Sequence, residues 1–209
     1  VEIEVNDPAH ASQDAYGYVV AASDGRVLFR NNHTADVAFT YRTYAESTGI
    51  NLPFVGPQGR GGTPHPTATN NGFQPSFVAQ NDLTLQNGPI STNDPWLAPG
   101  ATKTIGNNVE AWLNRISAVV NDTNDGTFNA DPAECDLLAP VTGDFHACTS
   151  GANAFQYTFD PNADANATKT QMMAAVVNLF YLNNWLHDWY YDAGFQEVHG
   201  NAQADNYGR

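Results

Sequence analysis

The pattern of apolar and polar positions changes character twice along the chain. At the start, VEIEV alternates apolar and charged residues, and AYGYVVAA and RVLFR then flank SDG. Alternation with period two puts the two kinds of side chain on opposite faces of a strand. Asp24-Gly25 between such runs predicts a hairpin, because the tight turn needs a residue with positive φ. Residues 31–40, NNHTADVAFT, read as a connector. From about residue 41 to 108 the rhythm is lost. FVGPQGRGGTPHPTATNNGFQPS is broken so often by Gly and Pro that no long helix fits. The stretch from Phe77 to Leu113 predicts short strands and turns around Phe77, Leu83, Leu85 and Trp96, wrapped over a core completed in part by something else.

The second change comes near the end, where apolar residues recur with helical spacing from Met172 to Tyr190. This predicts one long helix, with Asn166 or Thr168 as its cap and Gly194 at its C-terminal left-handed position. At about 100° per residue, Leu179, Leu182, Trp185, Leu186, Trp189 and Tyr190 share a broad face. Asn183, Asn184, His187 and Asp188 gather opposite. The first half, MMAAVVNLFY, is apolar nearly all round and predicts burial on every side. Short strands and loops with one long buried helix make an α+β fold.

Composition narrows the picture. The 209 residues suffice for one domain, or for a domain plus part of another. A hydrophobic share of 42% excludes a disordered chain, and no apolar run is long enough to span a bilayer. Eight Lys plus Arg against 22 Asp plus Glu give a net charge of −14, which argues against nucleic acid or an anionic membrane as partner. The opening VEIEVNDPAH lacks the basic and apolar regions of a signal peptide, so any leader is already removed or not encoded. Cys135 and Cys148 lie in a loop rich in Pro, Asp and Gly. Zinc needs four ligands at short spacing and there is no CxxC, so a disulfide closing that loop is expected, worth about 3 kcal/mol. It implies an oxidising, exported location.

Candidate chemistry is sparse. His187 and His199 flank Gly194, too far apart for the i, i+4 ligand pair of HExxH. Together with Asp188, Trp185 and Trp189, His187 reads as a structural group of the helix. There is no GxSxG, no GxGxxG and no phosphate loop. The stretch NDTNDGTFNADPAECD sets Asp122, Asn124, Asp125 and Asp131 around Gly126. Oxygen ligands on a Gly-containing loop suit calcium, and the same residues also form plain turns by bonding their own backbone. Asn32, Asn121 and Asn166 begin Asn-X-Thr triplets of the kind that arise often by chance.

A longer resemblance adds to this. AVVNLFYLNNWLHDWYYDAGFQEVHGNAQADNYGR is similar to the helix and following segment of fungalysin-type (M36) zinc metallopeptidases. TPHPTATNNGFQPSF, NGPISTNDPWLAPGATKTIGNNVEAWL and FQYTFDPNADAN agree in order, so the resemblance runs from about 36 to 209. It implies a thermolysin-like N-terminal lobe over 36–209. YGYVVAASDGRVLFR resembles the last strands of the family's propeptide, which implies a propeptide-like hairpin and connector over 1–35. It also implies secretion, a protein or peptide substrate, and a zinc site made by HExxH and a downstream Glu. This sequence contains no HExxH. The zinc ligands and catalytic groups are therefore expected on a C-terminal chain or segment, which this part would scaffold. The alternative is a non-catalytic piece of the same fold: a self-associating scaffold, or a propeptide-like inhibitor or chaperone.

Overall fold

The structure is a computed structural model that describes residues 2–6, 15–33, 37–54, 56–59, 77–114 and 128–206. Three strands, β1 (Glu2–Asn6), β2 (Ala15–Val20) and β3 (Val27–Asn32), form an antiparallel sheet in that order. The expected hairpin joins β2 to β3. Ala21 N donates to Arg26 O (2.9 Å), Gly25 N donates to Ala21 O (3.0 Å), and Gly25 takes φ 75°. Its lack of a Cβ makes that angle accessible.

The connector expected over 31–40 is shorter than that. Asn31 and Asn32 complete β3, and Phe39 opens β4 (Phe39–Thr43). β4 is the centre of a second sheet, between antiparallel β5 (Asn81–Leu85) and parallel β8 (Ala154–Phe155). Its residues alternate strictly: Phe39, Tyr41 and Thr43 are buried while Thr40 and Arg42 face outward. A two-stranded ribbon pairs β6 (Trp112–Leu113) with β7 (Phe145–His146).

Across β4 lies α1 (Lys169–Asp192). Thr168 caps its start, its hydroxyl accepting from Gln171 N (3.1 Å). The far end closes in a Schellman motif: Phe195 N donates to Tyr190 O and Gly194 N to Tyr191 O, with Gly194 at φ 109°. Both expected boundary signals act as read. Asn178 ties helix to strand, accepting from Thr43 Oγ1 (2.6 Å) and Tyr44 N (3.1 Å).

The described core is an aromatic cluster. Trp96, Phe145, Phe155, Val177, Phe180 and Tyr181 are all buried around Tyr41. The Tyr41 ring stacks on Phe155 (centroids 5.8 Å apart, planes 5° apart) and meets Trp96, Phe180 and Tyr181 within 6.1 Å. Aromatic anchors fill so much volume that a few short strands suffice to hold them. Of the expected anchors Leu83 and Trp96 are buried, whereas Phe77 is exposed. The Cys135–Cys148 disulfide is present, with Cα atoms 5.5 Å apart. Beside it the Glu134 carboxylate takes the Lys103 ammonium, and His146 sets Nε2 against Glu110 (3.0 Å) and Nδ1 against Glu134 (3.4 Å).

The Tyr41 hydroxyl is buried without a hydrogen-bond partner, and burial drives its pKa far upward. An unpaired buried hydroxyl costs about 1–3 kcal/mol. Tyr41→Phe is therefore expected to raise the thermal unfolding midpoint, read by calorimetry, while Tyr41→Leu lowers it by emptying the aromatic cluster.

Candidate functional site

The last turns of α1 carry two carboxylates one turn apart, and both reach the loop 86–96. Asp188 is fully buried, and its Oδ2 accepts from Gly88 N and Trp96 Nε1, each at 2.7 Å. Its Oδ1 lies 3.3 Å from His187 Nδ1. Asp192 accepts from Ser91 N (3.0 Å) and Ser91 Oγ (2.7 Å). Spacing of four places the two carboxylates on one side of the helix. A Cβ on Gly88 would stand 2.9 Å from Asp188 Oδ2 and 3.1 Å from the Trp96 ring, so the close approach requires glycine.

The other side of this loop receives the N-terminal sheet. Asn32 N donates to Thr92 O (2.6 Å) and Asn31 Nδ2 to Ser91 O (2.7 Å). The Arg30 guanidinium, wholly buried over the Tyr16 ring, pairs with the buried Asp94 carboxylate. Burial pushes the Asp94 carboxyl up despite Arg30, and the charge of Glu197 adds to that. Glu197 in turn accepts from Tyr191 Oη at 2.9 and 3.0 Å.

The expected facing of α1 holds only in part over its second half, where Trp185 is buried and Asn183 exposed as read. Asn184 and Asp188 are fully buried, while Leu179 is 46% exposed and Trp189 and Tyr190 are each 49% exposed. Leu182 and Leu186 on the same stripe are half-buried. The first half is not enclosed on every side either, since Ala175 is open. Hydrophobicity alone loses here because the polar stripe has fixed partners: Asn184 Nδ2 bonds Phe180 O (2.9 Å), and Asp188 holds two N–H groups. Trp185 is buried and donates Nε1 to Ile50 O (2.9 Å), and Trp189 stands in solvent edge-on to Tyr190. The His187 side chain is 8% exposed, and His199 is exposed on a short 3-10 helix, Glu197–His199.

Of the calcium candidates, Asp122, Asn124 and Asp125 lie outside the described residues. Asp131 is buried and accepts from Ala133 N (2.9 Å) and Thr142 N (3.1 Å), with Lys169 Nζ at 3.6 Å. Burial would raise its pKa, but the two amides and the ammonium bring it below the usual carboxylate range. Among the described residues no group of three or more His, Cys, Asp or Glu side chains is placed to hold a metal, and no helix is long and apolar enough to cross a membrane. Sequence reasoning overlooked the Arg30–Asp94 pair, for which a rare basic residue in a strand of an acidic chain was the available signal.

The described residues form an α+β fold of short strands around one long helix, and comparison with known proteins gives the family. The model of the fungalysin metallopeptidases (M36) matches residues 65–209, and the chain belongs to that family. Extracellular metalloproteinase 1 of Trichophyton equinum is 33% identical over 135 residues, covering 63% of this chain and 18% of that protein. The protein of the same name from Arthroderma otae is 33% identical over 135 residues, covering 63% and 17%. That of Trichophyton rubrum is 46% identical over 55 residues, covering 26% and 8%. The match spans less than a fifth of the length of these relatives, so the chain corresponds to a fragment of a metallopeptidase. No solved structure matches it significantly.

Burial, offset by hydrogen bonds from His187, Trp96 and Gly88, pushes the Asp188 carboxyl above the usual aspartate range. The folded chain therefore holds this proton more tightly than the unfolded one. The resulting stability is full below the ordinary aspartate pKa and is lost as pH rises through the raised value. Asp188→Asn is expected to flatten that mildly acidic limb of stability against pH. Asp188→Ala leaves two buried N–H donors unpaired and is expected to cost about 2–5 kcal/mol in urea unfolding.

Proposed function

We propose that this chain is the N-terminal portion of a secreted zinc endopeptidase and that it scaffolds a cleft whose metal and catalytic groups are carried by a C-terminal part. The observation that carries the reading is the open apolar stripe of α1 on a chain of metallopeptidase family. Leu179, Leu182, Leu186, Trp189 and Tyr190 line it, and Phe195 and the 81%-exposed Val198 extend it past the helix end. A continuous apolar surface on a soluble lobe marks a face that another body covers. Zinc does not fit the side chains described here, so no step of hydrolysis is assigned to them. Their work is mechanical: Asp188 and Asp192 hold the loop 86–96, and His187, Trp185 and Trp189 shape the helix that supports the missing half.

In this reading residues 36–209 are the incomplete N-terminal lobe, and residues 1–35 are a propeptide-like unit docked through Arg30. The relatives are named extracellular, which together with the disulfide supports secretion, and a protein or peptide is the substrate. The same open stripe supports a second reading, a non-catalytic piece that covers itself by self-association. Calcium in the 121–136 loop remains a minor proposal, carried by sequence alone.

The complete protein is expected to digest casein in a chelator-sensitive way, while the 209-residue chain does not. Leu179→Asp combined with Tyr190→Asp should leave the unfolding midpoint of this chain nearly unchanged, because both side chains are exposed. The same pair should lower hydrolysis by the complete protein at least about tenfold, since burying two charges costs several kcal/mol. Chelator-insensitive or absent hydrolysis, with concentration-dependent light scattering abolished by the two aspartates, would favour the self-associating reading instead.

A further inference from the structure

We propose that Asn107 is a positioning residue: it fixes the path by which the chain leaves this lobe after Asp205, and so the placement of whatever follows. The proposal rests on the peptidase reading above. Residues 201–206 contain no helix or strand, yet their course is held against the turn that carries Asn107. Asn107 O accepts from Ala204 N (2.9 Å), Asn107 Nδ2 donates to Asp205 O (3.0 Å), and Asn107 Oδ1 accepts from Asp205 N (2.7 Å). One residue thus grips two consecutive residues, its side-chain amide acting as a rung of sheet would. Asn108 Oδ1 takes a weaker bond from Gln203 Nε2 (3.4 Å).

The grip is stiff because its base is. Asn107 sits at the tip of a turn closed by the Ile105–Glu110 bridge and by Gly106 N donating to Val109 O (2.9 Å). A Cβ on Gly106 would meet Trp96 O at 2.2 Å, so the turn lies directly on the backbone of a fully buried tryptophan. The indole of that tryptophan is held by Asp188. A continuous line of short contacts therefore runs from the carboxylate of α1 through Trp96 and Gly106 to Asn107 and the departing chain. Such a line can transmit position because its base at Trp96 and Gly106 is close-packed.

The test compares Asn107→Ala and Asn107→Asp in the complete protein by amide hydrogen exchange and by steady-state hydrolysis. One hydrogen bond is worth about fivefold in an opening equilibrium. Asn107→Ala is expected to speed exchange at the Asp205 amide at least about fivefold, whereas Asn107→Asp, which keeps the acceptor, changes it by less than about twofold. In Asn107→Ala kcat is expected to fall roughly tenfold at unchanged KM and unchanged unfolding midpoint, with Asn107→Asp recovering most of the loss. Unchanged exchange in Asn107→Ala overturns the grip. Faster exchange with normal kcat, or a loss of activity that only follows a lowered midpoint, overturns the positioning role and leaves the peptidase reading intact. A wild-type complete protein without hydrolysis removes the peptidase reading, and the positioning role with it, while normal slow exchange at Asp205 in that protein would still establish the grip.

Discussion

A carboxylate taken fully out of water must be met by donors, and Asp188 meets that condition by recruiting a loop a hundred residues upstream. The Gly88 amide and the Trp96 indole each give it a hydrogen bond. Together they fix the loop 86–96 against the helix and orient the ring that meets Tyr41 at the centre of the core. Asp192 repeats the contact one turn on, through Ser91. The loop so held then takes the N-terminal sheet on its outer side and supports the Gly106 turn on the backbone of Trp96. Removing a single buried acceptor would leave donors stranded on both sides, which is why such groups cost more to lose than they add when present.

Features governed by near neighbours were legible in the sequence. Asp24-Gly25 set a hairpin, Thr168 and Gly194 bounded the helix, and the two cysteines lay on one short loop; each depends on residues a few positions away. β4 was missed although Phe39, Tyr41 and Thr43 alternate correctly, because five residues beside a polar connector make a weak signal and both pairing partners are remote. The facing of α1 was read from apolarity and failed at Asp188, because its partners Gly88 and Trp96 are not encoded in the helix. Arg30 could be noticed as a rare basic residue in a strand, but nothing local tells it that its counter-ion Asp94 lies on a distant loop.

The facing of α1 also bears on the proposed role. A helix that buries Asn184 and Asp188 while leaving Leu179, Trp189 and Tyr190 exposed is unusual for a self-contained domain. The buried carboxylate organises the loop 86–96, and the exposed apolar side chains are the surface on which the proposed scaffolding role rests. The acidic balance, 22 carboxylates to eight basic groups, keeps such a surface from driving indiscriminate aggregation while it is bare.

The central sheet sets a timetable. β4 bonds β5 on one edge and β8 on the other, with Thr40 beside Ala154. During synthesis, the first of these strands must wait for the last before its second edge is satisfied. Until residue 155 has emerged from the ribosome, a short strand bearing Phe39 and Tyr41 stays half-paired, the kind of topology that folds slowly. Such a delay leaves the open edge of β4 available to any other strand that meets it first.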